Sequence, residues 1–155
     1  MTSPNARSTG LESLLAGVHA AVYGYGMAGA VVVGFSPSAG LVAAVRSGYD
    51  TLRASRDGLT EAISAAGGSP PATLAAYALP FPLSNAPAVV RFLAGLEDRL
   101  CVAAATAVGA AGVAADRLAA ADILAAAAVR ATRLRVLAGA TPAKAVTPLP
   151  GLPGR

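Results

Sequence analysis

Four prolines, Pro70, Pro71, Pro80 and Pro82, occupy the middle of a chain that otherwise reads as helix on both sides. Proline removes a backbone donor and clashes with the preceding turn, so no long helix can run through this stretch. Before it, apolar residues recur at steps of three and four: Leu11, Leu15, Val18, Val22, Tyr25, Gly29 and Val32, then Leu41, Val45, Gly48, Leu52, Leu59 and Ile63. After it come Val89, Leu93, Leu96, Leu100, Ala104 and Val108. That period belongs to helices facing a common core. The expected helices cover residues 9–34, 36–66, 84–108 and 113–137. The first is opened by a Thr9/Glu12 capping box and the second by the Ser36-Pro37 pair. Gly139 and Pro142 stop the last helix, and the tail from Thr141 is expected to be extended. Residues 1–8 are expected to lack order, residues 9–139 to form one domain, and residues 140–155 to be a Pro-rich tail.

The connections constrain topology. Short links join helices one and two, and three and four, so each pair is antiparallel. The link between helices two and three is long. About 18 residues at roughly 3.1 Å each would reach about 50 Å. A helix of about 30 residues at roughly 1.5 Å each is about 45 Å long. The link can therefore run the length of the bundle, leaving helices two and three parallel. One long crossover in a four-helix bundle is the ferritin-like arrangement. The expected fold is all-α: a ferritin-like four-helix bundle with a Pro-rich crossover.

Composition narrows the packing and the partners. Hydrophobic residues make up 55% of the 155 positions, but aromatics only 5%, with no Trp. Alanine supplies much of the apolar content. It favours helix and buries little area, so helices must approach closely. The formal net charge is +4, yet the basic residues are scattered and only Arg130, Arg133 and Arg135 cluster. That is no nucleic-acid-binding stripe. Cys101 stands alone, which excludes an internal disulfide and fits a buried, reduced thiol in a cytoplasmic protein. Between Ser13 and Val45 the only titratable residues are His19, Tyr23 and Tyr25, long enough for a membrane span. The stretch is rich in Ala and Gly and broken by Ser36-Pro37-Ser38, which favours a buried bundle helix instead.

Several segments carry a resemblance. They are His19-Ala20-Ala21-Val22-Tyr23-Gly24-Tyr25-Gly26, Arg56-Asp57-Gly58-Leu59, Ala76-Tyr77-Ala78-Leu79-Pro80-Phe81-Pro82 and Leu96-Glu97-Asp98-Arg99. Together they resemble an actinobacterial ferritin-like domain family of unknown function. The resemblance implies a ferritin-like fold and no established activity. It also marks two departures. The family commonly has Glu before the first-helix His, where this chain has Val18. It commonly has His five residues before the Asp of the second-helix segment, where this chain has Leu52.

A di-iron bundle needs Glu from two helices and Glu-x-x-His from two others. This chain has three Glu (Glu12, Glu61, Glu97), one His and no Glu-x-x-His. No cofactor or metal is expected. His19 and Tyr23 share one flank of the first helix, and Glu97 sits beside the stripe of the third. These three are the candidate ligand-binding residues. A His19–Glu97 contact would be either a remnant site or a buried polar pair satisfied by its neighbour. Gly24-x-Gly26-x-x-Gly29 mimics a dinucleotide fingerprint but follows no strand, so it reads as close helix packing. Nothing reads as catalytic. The leading expectation is a non-catalytic, self-associating or partner-binding bundle, a homodimer because the first helix is apolar on too many faces. The alternatives are a binder of a small apolar ligand or single metal ion in the bundle centre, and a membrane-associated protein.

Overall fold

A computed structural model describes the backbone of residues 4–152 and the side chains of residues 10–152. Among these residues every regular element is helical. Four long helices, α1 (Pro4–Val32), α2 (Ala39–Ala65), α3 (Ala86–Ala110) and α4 (Ala114–Leu137), are followed by a single turn, α5 (Pro142–Ala145). α1 continues through Thr9 and does not start there; the Thr9 side chain lies outside those described, as does the conformation of residues 1–3.

Local chemistry explains most ends. α1 tightens into a 3₁₀ turn at Val33–Phe35, after which Ser36 takes a left-handed conformation (φ 49°). Ser36 therefore cannot cap α2, and the expected Ser36-Pro37 start is displaced. Ser38 is the cap, its hydroxyl accepting from the Leu41 N–H at 3.2 Å. Asn85 caps α3 in the same way, accepting from Ala88 N–H at 2.8 Å, with Pro87 in the first turn. At the other end of α2, Gly67 (φ 77°) lets its own N–H reach Ser64 and the Gly68 N–H reach Ile63. Gly139 (φ 90°) does the same for α4, with bonds back to Val136 and Arg135. Both are αL terminations that satisfy otherwise orphaned carbonyls.

α3 packs most extensively on α4, and α1 lies against both α2 and α3; α2 meets α4 more lightly. The buried face of α4 is Asp116, Ala120, Ile123, Ala127, Ala131 and Leu134. Its alanines let the α3 and α4 backbones approach, as the composition implies. Leu14, Leu15, Val18, Leu52, Ile63, Leu93 and Leu100 are fully buried between the helices. Val18 and Leu52 thus fill core space.

Residues 66–85 form the irregular link between α2 and α3. They lie against α1 and α3: Tyr77 packs tilted against Tyr23 with ring centres 5.4 Å apart, and Phe81 meets Phe92 edge-on at 6.3 Å. The Arg91 guanidinium sits 4.2 Å from the Phe81 ring centre. The chain beyond Thr141 is not extended. It folds back over α3 and α4, burying Ala145 completely and placing Gly151 against the Cys101 carbonyl of α3.

Candidate functional site

The polar centre of the molecule joins three helices. Tyr25 of α1, on the core stripe, donates its hydroxyl to Glu97 Oε1 of α3 at 2.6 Å. Arg130 of α4 donates Nε to the same oxygen at 2.8 Å and Nη2 to Oε2 at 3.0 Å. Glu97 is 0% exposed and the Arg130 side chain 13%. Two glycines make this arrangement possible. A Cβ on Gly48 of α2 would collide with the Tyr25 ring, and one on Gly24 with Leu96 and Phe92. Of the Gly24/Gly26/Gly29 run, only Gly24 is a tight approach. Gly26 and Gly29 have ordinary contacts at 3.7 Å.

Electrostatics favour the protonated forms of Tyr25 and Arg130. Burial, then the neighbouring Glu97 charge and its hydrogen bond, push the Tyr25 phenol far above its usual range. Burial alone would lower Arg130, but the hydrogen bond and charge of Glu97 hold it above its ordinary value. Three donors bind the carboxylate, two on Oε1 and one on Oε2, and it is wholly buried. A phenol that stays protonated is no base. The arrangement is a neutralised buried pair, which is chemically quiet.

A second pair lies one residue along α3. Arg135 Nη2 reaches both Asp98 oxygens at 2.6 and 2.5 Å, while Nη1 donates to Ala145 O at 3.3 Å and Thr147 Oγ1 at 3.1 Å. It ties the returning tail to α3 and α4. Beneath that tail Cys101 is buried, and burial, followed by the charges of Glu97 and Asp98, pushes its thiol up to about 11. Such a thiol stays protonated and unreactive at neutral pH.

His19 and Glu97, whose contact the sequence left open, do not pair. His19 Nε2 instead donates to the Pro71 carbonyl at 3.2 Å, and Tyr23, one turn along, packs tilted against Tyr77. These two residues hold the 66–85 link, while Glu97 belongs to the interior. The residues that sequence reasoning missed are Tyr25 and Arg130. Tyr25 was visible as a core position whose hydroxyl needs a partner. Arg130 was visible as a charge inside an alanine-rich helix, but its register against Glu97 is set by helix packing.

The residues do not fit a di-iron centre. The buried carboxylate already carries a cation, Val18 and Leu52 fill core space, and no group of three or more His, Cys, Asp or Glu among the described residues could hold a metal ion. A different opening lies beside the buried pair. A groove of about 490 Å³ runs between α2 and α4, with Tyr25 and Arg130 in its wall and Ala43, Ala44, Val136 and Leu137 along it.

No curated protein matches the chain. A conserved hypothetical protein from Mycobacterium tuberculosis, rv2844, shares 31% identity over 86% of this chain and 97% of its own, with a TM-score of 0.78. The pattern of one family, described as a domain of unknown function (DUF4439), matches residues 10–154. The match takes in α1 from residue 10 onward, the other three long helices, the irregular link and the returning tail, so the chain belongs to the DUF4439 family.

Proposed function

We propose that this chain is a non-catalytic ferritin-like four-helix bundle, a self-associating or partner-binding protein of the cytoplasm, in which a buried ion pair stands in place of a di-iron centre. The Pro-rich link between α2 and α3 is the long crossover of that topology. The observation that carries the reading is the engagement of Glu97 by Tyr25 and by a bidentate Arg130 at full burial. A metal ion would have to displace a guanidinium and leave it buried without a partner, a cost of several kcal/mol on the order of 3–5. Anaerobic reconstitution with ferrous iron, followed by oxygen, tests it. No iron is expected to remain after desalting; two retained ions per chain with oxidation faster than buffer would overturn the reading.

Self-association is proposed through the outer face of α1. Among the described residues its exposed positions, Ser13, Ala16, Gly26 and Ala30, carry no charge, whereas the exposed face of α2 carries Arg46, Asp50, Arg53, Asp57 and Glu61. The segment Gly10–Phe35 is also long and apolar enough to cross a membrane, with 33% of its most apolar window buried. Light scattering of the detergent-free protein separates the two. A dimer that Ala30→Glu converts to monomer supports the proposal, and recovery only in detergent defeats it.

A further inference from the structure

We propose that the groove between α2 and α4 binds a small amphipathic anion, an apolar chain ending in a carboxylate. This goes beyond the non-catalytic bundle proposed above and does not depend on its metal argument. α2 meets α4 less closely than α3 does, and small residues on α2 keep the space between them open. Its volume of about 490 Å³ falls within the roughly 300–1,000 Å³ of ligand pockets. At the start of α2 the groove narrows, since a Cβ on Gly40 would come within 3.3 Å of Leu137.

The lining specifies the chemistry. Ala43, Ala44, Val136 and Leu137 offer an apolar wall, and no acidic side chain lines the groove. Two guanidiniums do. Arg130 spends Nε and Nη2 on Glu97, so its charge is cancelled inside, and Nη1 stays outside that pair. Arg133 is exposed and has no hydrogen bond or ion pair among the described residues. Among the residues that line the groove, the uncompensated charge is therefore that of Arg133. A free, planar guanidinium at the edge of an apolar slot suits a carboxylate, which it can grip through two parallel hydrogen bonds.

Calorimetric titration with dodecanoate, below its micelle concentration, is the test. Saturable binding of one molecule per chain is expected, with dodecanol at least about tenfold weaker because it lacks the charge. Arg133→Gln should bring dodecanoate down to the dodecanol level. Ala43→Phe and, separately, Ser47→Phe fill the groove from exposed positions of α2 and should abolish binding of both, with unchanged circular dichroism. Equal affinity for the two ligands, indifference to Arg133→Gln, or binding that survives both filling variants would overturn the proposal. So would a change of oligomeric mass in Ala43→Phe, which would assign the groove to a contact between subunits.

Discussion

Gly48 of α2 faces the ring of Tyr25 in α1 so closely that any side chain at that position would overlap it. The missing Cβ leaves room for the ring between the two helices, and its hydroxyl reaches Glu97, 2.6 Å away. One glycine on a second helix thus sets the geometry of a polar contact between the first and the third.

Gly48→Ala is expected to destabilise the fold by about 1–3 kcal/mol, the range for overpacking a tight core. Gly26→Ala is the internal control. It is exposed, its added Cβ would sit 3.7 Å from Tyr49, and alanine favours helix, so it should be neutral or stabilise by up to about 1 kcal/mol. Thermal melts should fall for Gly48→Ala and hold or rise for Gly26→Ala.

Removing Arg130 leaves Glu97 buried and uncompensated. Arg130→Met alone should cost about 3–5 kcal/mol, while the double variant Glu97→Leu/Arg130→Met should recover part of it, the Tyr25 hydroxyl then lacking its acceptor. Urea titrations read both. Additive losses in the double variant would show that the pair is not coupled.

The pH dependence has a defined sign. Tyr25 is held above the ordinary phenol value of 10.0, so above that pH the unfolded chain releases a proton that the folded chain keeps. The stabilisation is complete below pH 10 and is lost as pH rises further. Cys101, pushed up to about 11 from 9.0, adds loss in the same direction between those values. Melting temperature should therefore fall on the alkaline side, and Tyr25→Phe should flatten the part above pH 10.

The returning tail shields Cys101. Gly151 has φ 86° and no room for a Cβ against the Cys101 carbonyl. Gly151→Ala should lift the tail and speed labelling of the thiol by an aromatic disulfide reagent, with helix content unchanged. Arg135→Ala, which cuts the bonds to Asp98, Ala145 and Thr147, should do the same. Labelling as slow as in the parent chain in both variants would refute the shielding role.

The four long helices were legible because their apolar positions repeat at the helical period, and the stripe residues Val18, Tyr25, Leu52 and Leu93 are indeed buried. So was the interruption at residues 66–85, since proline acts locally and needs no partner to break a helix. The cap of α2 was misread by two residues, because Ser36 and Ser38 offer the same hydroxyl and only the path of the preceding turn selects between them. The tail was misread for a larger reason. Its prolines argue against regular structure, and its docking depends on Arg135, Asp98 and the narrow space over Cys101. The partner of Glu97 was likewise beyond the sequence. His19, Tyr25 and Arg130 are all chemically able to bond a carboxylate. Which of them does so depends on the rotation and spacing of α1, α3 and α4, and those are set by the summed packing of glycines and alanines rather than by any one residue.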